Sequence, residues 1–323
     1  MAWSTARSRP VSDGRSVKWG RCGALAAALV LLAAAMGWPP ARAQKDERRI
    51  HERWVDVEGP TGEDERAYVL FPFRNDRKDH AEDQRYPLIV ALHGKGEVSK
   101  GPTRGPRGWI ADYRLPDAFG ALQRGSLTAQ DYQGLVTPSH LATANAELAS
   151  QSFEGAMVVT PYVRDVSTPS SDLTVADYAA WVAGPLLEQV REEFSGAAQR
   201  RESVGIDGVS LGGWLSLETG LRHPDVFGSV GGIQPAVRGE TEQLADRARA
   251  VYETEQTQHI RLLTSEEDSY LAATRKLSER LREHRVPHTL AVLPGRHDYE
   301  FNRGPGTLEL LRFHTRVLRS EPM

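Results

Sequence analysis

The chain has 323 residues, 40% of them hydrophobic and 26% charged, with a formal net charge of −3. That composition excludes the weakly hydrophobic, highly charged profile of a disordered chain, and a single cysteine excludes a disulfide scaffold. The length past the leader suits one large α/β domain, and no internal repeat interrupts it.

The first 43 residues read as a leader. Arg7, Arg9, Arg15, Lys18 and Arg21 form a basic region, residues 23–38 are mostly Ala, Leu and Val, and Ala41-Arg42-Ala43 supplies a small-x-small cleavage site. The pattern predicts a bacterial export signal cleaved after Ala43, and so a secreted or periplasmic protein. The apolar run falls short of the roughly 20 residues a membrane span needs, so no stable membrane insertion is expected after cleavage. Cys22 precedes the apolar run, where no lipid-modified cysteine would stand. From residue 44 onward there are 34 basic and 42 acidic side chains, a net charge of −8 with no basic stripe. This argues against nucleic acid as a partner. The sequence does not specify an oligomeric state.

Residues 54–58 and 67–73 alternate apolar and polar side chains about a Gly/Pro turn, which predicts an opening β-hairpin. Continuous apolar runs at 86–92 and 157–163 predict strands buried on both faces. Shorter runs at 204–206, 230–235, 260–263 and 289–293 complete the strand set. Helical spacing at 175–194, 211–222, 244–252, 270–285 and 307–318 fills the gaps between them. This alternation predicts a mostly parallel central sheet with helices on both faces.

Residues 96–155 break the rhythm. This stretch of about 60 residues separates two strands that a short helix would normally join. It opens on Gly, Pro and Arg, and helical pieces are expected at 117–124, 128–135 and 140–148. Trp109, Tyr113, Phe119 and Tyr132 are spread through it. Because it leaves the strand end where active-site loops gather, it is expected to form a cap over the site.

The most informative run is V-G-I-D-G-V-S-L-G-G-W, residues 204–214. An apolar strand enters Gly208-Val209-Ser210-Leu211-Gly212 and a helical pattern follows, the strand–turn–helix context of a G-x-S-x-G nucleophile elbow. A serine hydroxyl needs a base to take its proton and a carboxylate to orient that base. His297, in P-G-R-H-D-Y just past the last strand, is the histidine placed to be that base. The acid belongs on the loop after the preceding strand, where T-S-E-E-D-S-Y offers Glu266, Glu267 and Asp268. Asp268 is preferred because it closes the short turn, with Glu267 next. The oxyanion of a tetrahedral intermediate needs backbone donors, and these are expected at Leu211 N–H and Lys95 N–H. His93 is expected to stabilise its loop.

L-I-V-A-L-H-G, G-V-S-L-G-G with L-R-H-P-D-V-F, the acid loop and P-G-R-H-D-Y together resemble the α/β-hydrolase superfamily. Within it, the chain resembles the esterase D, polyhydroxybutyrate-depolymerase and feruloyl-esterase-like serine hydrolases. The resemblance spans roughly residues 85–318 apart from the insert. It implies a carboxylic ester hydrolase acting on a small-molecule or polymeric ester through Ser210, His297 and Asp268, with no metal or organic cofactor. Two positions depart from the pattern: Ser265 stands where a glycine is common, and Gln234-Pro235 replaces a small pair, expected to narrow or polarise the pocket. An acyltransferase on the same scaffold and a non-catalytic binding protein are the rival expectations.

Overall fold

The computed structural model describes residues 49–73, 84–168, 171, 173–254 and 256–322. All belong to one unit, Glu47–Met323. The expected export signal, 1–43, lies outside the described residues.

Ten strands are present among the described residues. β1 (Arg49–Glu58) and β2 (Asp64–Phe73) form the opening hairpin, with Val55 opposite Ala67. β3 (Gln84–Arg85) pairs only with β10 (Glu321–Pro322). The main sheet has the order β1-β2-β5-β4-β6-β7-β8-β9. It uses β4 (Leu88–Leu92), β5 (Met157–Thr160), β6 (Val204–Gly208), β7 (Ser229–Ile233), β8 (His259–Glu267) and β9 (Thr289–Arg296). Pairing is parallel from β5 across to β9, while β1 and β2 are antiparallel.

The apolar run of β4 explains its central place. Leu88, Val90 and Leu92 enter one core while Ile89 and Ala91 enter the other. A strand buried on both faces has no polar side to offer, so it needs a helical layer above and below. The first core is closed by α5 (Val175–Trp181), α6 (Leu187–Glu193), α7 (Leu211–Arg222), α8 (Thr241–Tyr252) and α9 (Leu271–Glu283). A π-helical turn around Pro185, which has no N–H to donate, joins α5 to α6.

The second core holds most of the 96–155 insert. Its helices are α1 (Lys95–Val98), α2 (Gly108–Ala111), α3 (Leu115–Gln123) and α4 (Pro138–Ser150). Trp109, Tyr113, Phe119 and Tyr132 are buried there beside the last helix, α11 (Thr307–Val317), which follows the short α10 (Tyr299–Phe301). The aromatics expected in a cap therefore cover a sheet face. The helical piece expected at 128–135 is a series of turns, because Gln133 and Gly134 both take positive φ, 55° and 79°.

Strand ends also differ from expectation. β5 stops at Thr160, before Pro161, and β7 stops at Ile233, where Gln234 turns to φ 44° ahead of Pro235. β8 and β9 instead run on to Glu267 and Arg296, with a bulge in β8 between Ser265 and Glu267. Such a bulge re-aims the residues that follow it, here Asp268.

Candidate active site

Ser210 stands between β6 and α7 with φ 57° and ψ −115°, a conformation unusual for a residue with a side chain. The neighbours hold it from both sides. Its N–H donates to Ile233 O at 2.9 Å, and its carbonyl accepts from Ala236 N–H at 2.9 Å and Trp214 N–H at 3.0 Å. A Cβ on Gly208 would lie 2.3 Å from Gly212 O, and one on Gly212 would lie 2.3 Å from Leu92 O and 2.5 Å from His93 O. Both glycines are required by this close approach of three backbone segments.

Across the strand ends, Ser210 Oγ lies 2.9 Å from His297 Nε2, and His297 Nδ1 lies 2.7 Å from Asp268 Oδ1. An ionised carboxylate can only accept, so Nδ1 carries the hydrogen and Nε2 is left to accept the Ser210 hydroxyl. Asp268 is buried. Burial pushes its carboxyl up, but hydrogen bonds from His297, Thr264 Oγ1 at 2.6 Å and Tyr270 N–H at 3.0 Å outweigh that and hold it below the usual carboxylate range. Glu267, the alternative acid, instead pairs with Arg296 at the surface at 3.0 Å. Glu266 is exposed.

Leu211 and Lys95 are the first residues of α7 and α1. The leading N–H groups of a helix have no partner within it. Both residues line one cleft of about 270 Å³ beside Ser210. Val166, Trp214 and Ala236 make its apolar part, and Arg238, Glu240 and Tyr270 its polar part. No residue of 96–155 is among its lining. The Lys95 ammonium pairs with Asp165 at 3.0 Å.

His93 is fully buried. Its Nδ1 donates to Gly94 O at 3.1 Å and its Nε2 accepts Val163 N–H at 3.0 Å, so it braces the β4 and β5 loops. Burial lowers its pKa to about 4, which keeps it neutral.

Several supporting residues carry no sequence motif. Thr264 and Tyr270 position Asp268, and the Tyr270 ring lies 5.5 Å from that of His297. Buried Glu97 accepts from Tyr113 and, at 2.8 Å, from Tyr299, two residues after His297. Tyr113 Oη in turn accepts Gly94 N–H at 3.1 Å. This ties the histidine loop to the Lys95 loop. Thr264 and Tyr270 bound the acid-loop segment and Tyr299 closes P-G-R-H-D-Y, but no pattern gives any of them a role.

No family model matches the chain, and no curated protein matches it. Among solved structures it is similar to a ferulic acid esterase, with a TM-score of 0.61 and 16% identity over 84% of this chain and 100% of that one. An S-formylglutathione hydrolase from Staphylococcus aureus matches with a TM-score of 0.54 and 15% identity, over 84% and 98%. The fold is the α/β-hydrolase fold. An enterobactin esterase from Shigella flexneri shares it with a TM-score of 0.54 and 18% identity, over 84% of this chain and 60% of that one. In an α/β-hydrolase fold the carboxyl ends of the parallel strands gather the loops into a crevice. Here β6, β8 and β9 deliver Ser210, Asp268 and His297 to that end.

Proposed function

We propose that this protein is an exported serine hydrolase that cleaves carboxylic esters through an acyl-enzyme. The observation that carries this reading is the continuous chain from Ser210 Oγ through His297 to Asp268, with the serine at a strained turn. Export rests on the leader pattern at 1–43.

In this reading Ser210 Oγ attacks the ester carbonyl carbon as His297 Nε2 takes its proton. The oxyanion of the tetrahedral intermediate lies against the N–H groups of Leu211 and Lys95. Asp268 stabilises the imidazolium without taking its proton. His297 then protonates the departing alkoxide, leaving the acyl group on Ser210. Water attacks that acyl-enzyme with His297 again as base, releasing the acid and restoring the serine. The polar side of the cleft, with Lys95, Ser167 and Arg238 exposed, favours water over a second alcohol as the acceptor, because acyl transfer needs water excluded.

The test is labelling of the mature protein with a fluorophosphonate probe, alongside a p-nitrophenyl ester chain-length series with feruloyl and acetyl-sugar esters. Wild type is expected to label and turn over, and Ser210→Ala to do neither. Equal labelling or turnover by Ser210→Ala would end the proposal.

A further inference from the structure

Gln234 follows β7 and is fully buried, yet its backbone has φ 44°, in the left-handed region that side chains avoid. Its side chain is not part of the cleft. Both amide hydrogens point at the loops that carry the acid and the base. Nε2 donates to Ser265 Oγ at 2.7 Å and to Arg296 O at 2.8 Å, the carbonyl immediately before His297. Its own N–H donates to Leu263 O at 2.6 Å, at the position before Thr264. The flanking residues hold the serine: Ile233 O accepts Ser210 N–H and Ala236 N–H donates to Ser210 O. The four residues 233–236 thus touch all three loops that bring Ser210, Asp268 and His297 together.

The amide orientation follows from chemistry. The Arg296 carbonyl can only accept, so the nitrogen must face it. Gln234 Oε1 is then buried without a partner, a cost the fold carries along with the positive φ. The two departures noted in the sequence, Ser265 and Gln234, are one hydrogen-bonded pair.

We propose that Gln234 is a positioning residue for the reaction, holding the His297 loop and the Asp268 loop in register through its one amide nitrogen. This rests on the ester-hydrolase reading, since the reaction is what its register serves. Displacing the histidine loop by a fraction of an ångström lengthens the 2.7 Å and 2.9 Å contacts on which proton transfer depends.

Gln234→Met keeps the length and volume and removes both donors. Gln234→Asn keeps the amide and tolerates the left-handed backbone better, but is too short to reach both acceptors. Ser265→Ala removes one partner with Gln234 in place. The assay is kcat and KM on a p-nitrophenyl ester per probe-titrated site, together with the low-field NMR resonance of the His297 Nδ1 proton. Gln234→Met and Gln234→Asn are expected to lose roughly 10- to 100-fold in kcat with KM within twofold, and to shift or broaden that resonance. Ser265→Ala is expected to change both in the same direction by less. Folded variants with wild-type kcat and an unchanged resonance would overturn the proposal, as would a change confined to KM, which would make Gln234 a shaper of the cleft. If Gln234→Met does not fold, Gln234→Asn and Ser265→Ala decide. A wild type without ester turnover would defeat the hydrolase reading alone, because the resonance still reports whether Gln234 sets the His297–Asp268 contact.

Discussion

The hydroxyl of Thr264 donates to Oδ2 of Asp268 at 2.6 Å, which leaves Oδ1 for His297. The carboxylate is therefore held on both oxygens, one by its own strand and one by the ring it orients. Removing the acid's charge reverses the logic. In Asp268→Asn an amide nitrogen facing His297 stabilises the wrong tautomer, with the hydrogen on Nε2. The expected loss is about 10⁴-fold in kcat on any ester the wild type cleaves. Thr264→Val is milder, costing about 1–2 kcal/mol at neutral pH in urea unfolding. Because this hydrogen bond helps hold Asp268 below the ordinary carboxylate range, its benefit exists where Asp268 is ionised in the fold. The gap between wild type and Thr264→Val should therefore shrink as pH falls through the range in which folded Asp268 protonates. A gap of equal size at pH 7 and in strong acid would contradict this account.

Glu267→Gln separates the two carboxylates. The Glu267 and Arg296 side chains are 61% and 72% exposed, so their ion pair is screened by water. Glu267→Gln should keep kcat within twofold and stability within about 0.5 kcal/mol. A collapse of kcat in this variant would move the acid from Asp268 to Glu267.

The insert makes its own prediction. Phe119 is fully buried, 5.4 Å from the Phe153 ring, in the core shared with β4 and α11. Phe119→Ala should cost about 3–5 kcal/mol in denaturant unfolding. At a temperature where the variant is folded, KM should be unchanged. A raised KM at full stability would instead mark the insert as part of the substrate site.

How much of this was legible in the sequence depended on the range of the interaction. Ser210, His297 and the 265–268 region stand in short segments whose chemistry needs particular residues at particular strand ends, so reading strand order was enough to find them. Asp268 is preferred over Glu267 from the sequence because it closes the short turn, whereas the bulge in β8 that precedes it is carried by no periodicity. How the insert packs is not legible, because an aromatic-rich stretch of irregular spacing looks the same whether it roofs a cleft or covers a sheet. What decides is the match of Trp109, Tyr113 and Phe119 to a face left open by Ile89 and Ala91, a contact distant in sequence. Gln234 was noticed as a departure, but as a residue for the pocket. Its positive φ turns the amide toward Ser265 and Arg296, and backbone handedness at a non-glycine residue leaves no trace in the sequence.

The insert is anchored by an ionised group, which makes that anchoring sensitive to acid. Glu309 on α11 accepts from Tyr132 at 2.7 Å and contacts His140 at 2.9 Å, both from the insert, and it pairs with Arg312 on its own helix. Burial pushes its carboxyl up, but Arg312, His140 and Tyr132 together bring it down to about 2 from an ordinary 4.5. A carboxyl depressed in the fold contributes its full stability above the unfolded value. That contribution, about 3 kcal/mol by linkage, is lost as pH falls from about 4.5 toward 2. Glu309→Gln removes it at every pH and leaves other ties in place, among them the Arg312–Glu147 pair at 2.5 Å and the Arg316–Glu147 pair. Urea midpoints should therefore differ by nearly the same amount between wild type and Glu309→Gln at pH 7 and pH 5, draw together as pH falls from about 4.5 through 3, and converge only below about pH 2. If the two midpoints instead stay parallel across that range, the charge on Glu309 is not what holds the insert to α11.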